Sequence, residues 1–462
     1  MKKSTYYLLF CLLGLLHMKI SAQSIQRTVC DGNVVRLDSL LQHTDINITD
    51  DSGRSLLHWA VACKQKETFD FLVQKGIRIN VADNQEQTPM HVAVRFGNLQ
   101  YFELLLRLQP SNQWISNYGA SLMEKAVLNK DTVFVKKLIQ SGIAINGANE
   151  RGSTALEISE RIGAKKVASI LRSLGADDGL VRMIEKKGNY MGESAPDTIP
   201  KMFAPNFIST EEQEFSSIFN STGTEFYFGV DRGGTNEIRY SKMVDGLWSK
   251  PETLLSHELY SYNDPFLSND QKRLYFISKR PFDGVGKPKD VDIWYIQKSK
   301  TGWSDPINAG PEINTTGDEY YISFTDTGTL YFASNGHNPD KSDHDIYSAA
   351  LVDGVYQKPV ALSDAINTEN YEADVFIAPD ASYMIFCSTR EEGLGRGDLY
   401  ISFKTNDGQW SEAVNMGDTI NTPYYEYCPF VTKDGKYLFY TSNQDIYWVS
   451  TAVINRLKGD QR

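Results

Sequence analysis

The sequence predicts two unlike repeat arrays in one chain: an all-α solenoid of paired helices, then an all-β ring of about five small four-stranded sheets. Three observations carry this. A His-x-Ala triplet recurs after 33 residues within 30–178. Aromatic and β-branched runs recur at steps of 49, 56, 53 and 54 residues within 199–462. Between the arrays, at 179–198, the periodicity stops in a polar stretch punctuated by Gly179, Gly188, Gly192 and Pro196, which reads as a linker with one short helical candidate at Leu180–Lys186. A chain of 462 residues also exceeds one ordinary core, since domains run to roughly 150 residues each.

The chain opens with Lys2 and Lys3, an apolar run from Tyr6 to Leu16, and small residues Ser21 and Ala22 before Gln23. That is the layout of a secretory signal peptide over 1–22, with an apolar run too short to span a bilayer. A retained anchor is the alternative. Cys11 follows Phe10 rather than a small residue, which argues against lipid attachment. Export predicts a periplasmic or secreted protein with no membrane span after the leader is removed. Four cysteines then remain, Cys30, Cys63, Cys387 and Cys428, an even number in an oxidising compartment. Cys30 and Cys63 are one repeat apart, on helices about 8–10 Å from each other, whereas a disulfide wants Cα atoms within roughly 7 Å. Both pairs are therefore expected as buried thiols.

In the first array, His58-Trp59-Ala60 returns as His91-Val92-Ala93, preceded by Ser55-Leu56-Leu57 and Thr88-Pro89-Met90. The third and fourth copies carry Glu124 and Glu157 in the histidine's place. Gly76-Ile77-Arg78-Ile79-Asn80 is echoed by Gly142-Ile143-Ala144-Ile145-Asn146. These residues resemble the ankyrin repeat, T-P-L-H-x-A opening a short helix and G-A-D-V-N leading into a hairpin. The resemblance implies four repeats plus a partial N-terminal cap from Gly32 to Asn47, histidines that bridge backbone groups of adjacent turns, and a protein-binding surface at the hairpin tips and first-helix ends. Arg54, Arg95, Phe96 and Tyr118 fall at such places, and aromatic anchors there favour a protein partner.

In the second array, Glu214…Phe226-Tyr227-Phe228 is echoed at Asp264…Leu274-Tyr275-Phe276, Glu319…Leu330-Tyr331-Phe332, Glu372…Met384-Ile385-Phe386 and Glu426…Tyr437-Leu438-Phe439. Each copy continues to a third strand, such as Asp292-Ile293-Trp294, and three end on Ile-Asn-Thr at 313–315, 366–368 and 420–422. Four strands per unit of about 50 residues is one blade of a β-propeller. The last copy lacks a fourth strand, so the orphan segment Met202–Thr210 is expected to complete it and close the ring. The copies resemble the WD40-like repeats of TolB-type propellers, a class that hosts binding, assembly and enzymatic proteins alike.

A net charge of -11 argues against nucleic acid and anionic membrane as partners. No phosphate loop, HExxH helix or G-x-S-x-G elbow stands in a matching context, and no residue is assigned to catalysis, a metal or a cofactor. The carboxylates Glu214, Asp264, Glu319, Glu372 and Glu426 open the innermost strands and are expected at one mouth of the central channel. Arg232, Arg280 and Arg390 follow the second strands and are placed to pair with them. His337 and His344, with Asp340 and Asp343, are read as solvated loop residues. Two functions remain open. One is an exported binding or scaffold protein of the cell envelope that holds another envelope or extracellular protein. The other is a carbohydrate-active or carbohydrate-binding propeller using two mouth carboxylates, since glycosidases need a carboxylate pair roughly 5–10 Å apart.

Overall fold

The computed structural model describes residues 25–50, 52–109, 113–149, 151–181, 184–337 and 343–460. The segment 1–22 expected to be a leader lies outside them. The chain divides into two compact units, 1–183 and 184–462.

The first unit is a stack of short antiparallel helix pairs. After the helical residues 25–30 and Val34–Leu41 come Leu56–Ala62 with Lys66–Gln74, Pro89–Arg95 with Leu99–Arg107, Gln113–Leu128 with Thr132–Gln140, and Ala155–Arg161 with Lys165–Ser173. Ser55 and Thr88 start their helices in capping boxes whose fourth member is His58 or His91 rather than the usual Glu. Gly76 and Gly142 end theirs at φ +82° and +99°, a left-handed turn that costs a glycine no Cβ clash. Between layers, Leu57, Ala60, Phe69, Leu72, Ala93, Phe102, Leu122, Phe134 and Leu138 are buried into one continuous core.

The histidines act within the fold. Nδ1 of His58 accepts from the Ser55 N–H at 3.0 Å, and its Nε2 donates to the carbonyl of Gln87 in the next repeat at 2.9 Å. His91 repeats the motif with Thr88 at 3.1 Å and with Ser121 Oγ at 2.9 Å. Burial holds both imidazoles below their usual range, His91 at about 4.

The expectation of buried thiols fails for one pair. Cys30 and Cys63 form a disulfide with Cα atoms 5.2 Å apart, while Cys387 and Cys428 are buried and free. Axis spacing was the wrong measure. Each Cα stands about 2.3 Å off its helix axis, so residues on facing sides of helices about 8–10 Å apart come within roughly 3–5 Å of each other.

The second unit is a five-bladed antiparallel propeller. Its blades begin with the strands Gln213–Phe219, Asn263–Leu267, Glu319–Phe324, Glu372–Ile377 and Tyr427–Val431. These inner strands contact one another in sequence, and the last contacts the first, so the ring is closed. The closing strand is Lys201–Met202, at the edge of the expected segment. It pairs antiparallel with the last blade, Lys201 opposite Trp448 and Met202 opposite Tyr447. Residues 186–191 of the segment read as linker lie on this unit: Lys186 O accepts from Trp248 N–H at 2.9 Å, and Tyr190 packs edge-on against Phe219 and Tyr437. Among the described residues no helix is long and apolar enough to cross a membrane.

Candidate functional site

Three Ile-Asn-Thr triplets explain the recurring glutamates. Asn314 takes both backbone groups of Ile293 in the blade behind, accepting at 2.8 Å and donating at 3.0 Å. The next residue, Thr315, gives its N–H and its hydroxyl to Glu319 of the blade ahead, at 3.0 and 2.6 Å. Asn367-Thr368 joins Ile346 to Glu372, and Asn421-Thr422 joins Leu399 to Glu426, in the same way. Ser334, Ser388 and Ser442 add a third donor to their glutamates. At the ring closure Thr210 holds Glu214 at 2.9 and 2.5 Å. All four glutamates are fully buried. Desolvation dominates over these donors, raising Glu214 to about 8 and Glu319 to about 7. Their oxygens are engaged in stitching blades together, not presented as an open catalytic pair.

Asp264 is not a member of this set. In the true register Tyr262 stands where the other blades have glutamate, and Asp264 lies two positions further on, equivalent to Ser216, Tyr321, Asp374 and Cys428. At this position every inner strand is irregular, with a register shift against its neighbour. All five residues are non-glycine with positive φ, from +42° to +55°. Such strain at one equivalent point in all blades marks a built feature.

The arginines divide. Arg390 Nε lies 3.6 Å from Glu372 Oε1, and its guanidinium covers Tyr400. Arg280 stands beside the exceptional Tyr262, its Nη1 3.5 Å from the phenol oxygen, and lies over Trp294. Arg232 pairs with Glu212 and Glu237 instead of Glu214. The two loop histidines are packed rather than solvated. His337 Nε2 donates to Ile313 O at 3.0 Å, and His344, mostly buried, lies against Tyr320 and Tyr371. Asp340 lies outside the described residues.

At the blade ends beside these bulges a cavity of about 290 Å³ is lined by Glu214, Asp264, Asp374, Cys428 and the tyrosines 320, 371, 425 and 427. Asp264 and Asp374 are each 7 % exposed and Cys428 2 %. Cys428 Sγ lies 3.4 Å from Asp264 Oδ1 and 4.0 Å from Asp374 Oδ1. Burial raises both carboxyls, and the charge of Asp264 raises Asp374 further. This convergence was hidden in the sequence, because the five bulge residues share a backbone conformation but are of four different types, Ser, Asp, Tyr and Cys.

On the first unit, Arg95 and Phe96 are exposed, Phe96 at 51 %, with the guanidinium 5.7 Å from the ring. Arg54 is tied to Asp50 at 2.9 Å and lies over Trp59. Tyr118 is half-buried, edge-on to His91.

A family profile for ankyrin repeats matches residues 26–113 in three copies. The chain is 29% identical over 131 residues to the "Probable 26S proteasome regulatory subunit p28" of Saccharomyces cerevisiae, covering 27% of this chain and 58% of that protein. It is 29% identical over 118 residues to the "Nuclear factor NF-kappa-B p105 subunit" of Gallus gallus, covering 25% of this chain and 12% of that one. The chain thus spans less than two thirds of either relative. The helix pairs, the bridging histidines and the profile agree: the N-terminal region of this chain is built of ankyrin repeats, followed by a five-bladed propeller.

Proposed function

We propose that this protein is an exported binding protein of the cell envelope whose ankyrin repeats hold a protein partner. The observation that carries the reading is the exposed pair Arg95 and Phe96 at the end of a first helix. Arg54 and Tyr118 are engaged within the fold, by Asp50 and Trp59 and by His91, whereas this pair is not, and an aromatic ring with a cation over it on a rigid scaffold makes a binding anchor. The Cys30–Cys63 disulfide supports an oxidising compartment, as does the leader-like N-terminus. The glycosidase reading has the engaged oxygens of Glu319 and Glu372 against it.

The test is capture from envelope extract of the source organism by the parent chain and by an Arg95→Ala, Phe96→Ala variant of equal thermal stability. The expected result is a specific partner held by the parent and lost by the variant. Equal capture by both, or none by either, contradicts the reading. N-terminal sequencing of the mature protein checks export, with Gln23 as the expected first residue.

A further inference from the structure

We propose that Asp264, Asp374 and Cys428 form a binding site for a single zinc-class divalent cation, with its remaining coordination position supplied by solvent or by a donor atom of a ligand in the adjoining cavity. The inference is independent of the ankyrin surface.

The geometry fits. The three residues offer ligand atoms all within 4.8 Å of one another. A tetrahedral zinc with Zn–S about 2.3 Å and Zn–O about 2.0 Å holds its sulfur and oxygen ligands roughly 3.5 Å apart. The sulfur-to-oxygen distances of 3.4 and 4.0 Å bracket that value. The ligands come from three different blades and are fixed by backbone bulges, so the site is organised by the ring itself.

The electrostatics ask for a cation. Two carboxyls are buried side by side, each 7 % exposed, with their oxygens and the Cys428 sulfur within 4.8 Å of one another. Buried carboxylates are ordinarily paired or bound to metal. An independent sign comes from Ser216, the equivalent bulge residue of the first blade. It is 1 % exposed, borders both Asp264 and Cys428, and its hydroxyl has no hydrogen bond of acceptable geometry. The hydroxyl lies against Asp264 and Cys428, within reach of both but at no strict hydrogen-bond angle to either, and is placed to turn to a metal-bound water. The thiol decides the class of ion: calcium and magnesium take oxygen ligands, while sulfur with carboxylates suits zinc and its neighbours.

The cavity extends beyond the cluster to the four tyrosines. Three protein ligands with a further position open is the arrangement that lets zinc bind an incoming donor.

The experiment is calorimetric zinc titration of the chelator-treated mature chain, with cobalt absorption as a second reading. The parent is expected to take up one equivalent of zinc, and its cobalt form to show thiolate-to-metal charge transfer. Cys428→Ser is expected to abolish that band and weaken zinc binding by more than the roughly 10–100-fold that loss of an outer-shell partner costs. Cys387→Ser, at the other buried thiol, is expected to leave both unchanged. Asp374→Asn is expected to lose binding while its metal-free thermal midpoint stays at or above the parent's, because it removes one of two facing carboxyls; loss of binding there is then not loss of fold. Failure of the parent to saturate, or binding unchanged in both ligand variants, would overturn the proposal.

Discussion

Cys428 Sγ lies 3.4 Å from Asp264 Oδ1, across 164 positions of sequence. Only closure of the ring brings these residues together. One belongs to the second blade and the other to the fifth, and each sits on a bulge of its inner strand. The contact therefore reports ring closure, and anything that loosens the blade stitches disperses the cluster.

Removing one stitch tests this dependence. Thr368→Val deletes the hydroxyl that donates to Glu372 at 2.6 Å and leaves a fully buried carboxyl short of a partner. The expected loss is about 1–3 kcal/mol in denaturant unfolding of the propeller. No loss would mean that the triplets do not hold the blades.

Glu214 gives the propeller a pH signature. Its carboxyl is raised from 4.5 to about 8 by burial. The folded state thus holds this proton more tightly than the unfolded state. The contribution is complete below pH 4.5 and is lost as pH rises through about 8. Glu214→Gln keeps an acceptor for Thr210 and removes the ionisation. Its unfolding free energy is expected to fall less between those limits than the parent's, and an identical slope would refute the assignment.

The ankyrin unit carries the opposite sign. His91 is lowered from 6.5 to about 4, so its contribution is present above pH 6.5 and lost as pH falls through about 4. A shift of that size corresponds to about 3 kcal/mol. His91→Gln is expected to flatten the acid limb of unfolding followed by helix circular dichroism.

Much of this was legible in the sequence, and the exceptions have physical causes. The helix pairs show because His58 and His91 do the same local work in two successive repeats, and repeated work leaves repeated residues. The blades show through their aromatic strands and through Ile-Asn-Thr, whose four-residue spacing from Glu319, Glu372 and Glu426 already held the explanation of those acids. The Asp264, Asp374 and Cys428 cluster left no such trace. Ser216, Asp264, Tyr321, Asp374 and Cys428 share a positive φ but no one residue type, so alignment by chemistry set Asp264 among the glutamates, two positions out of register.

The disulfide, missed by counting from helix axes, has a thermodynamic consequence. It closes a 33-residue separation, and a loop of that length contributes about 3–4 kcal/mol by chain entropy. Cys30→Ser, Cys63→Ser is expected to lower the unfolding midpoint of the ankyrin unit and leave the propeller's unchanged. Equal midpoints for parent and variant would show that the bond does not contribute.

The most direct test of the proposed metal site is anomalous diffraction at the zinc edge from crystals of the mature chain grown with zinc. A peak about 2.3 Å from Cys428 Sγ and about 2.0–2.2 Å from carboxylate oxygens of Asp264 and Asp374 is the expected result. Zinc peaks only elsewhere on the molecule, with none among these three residues, would contradict it.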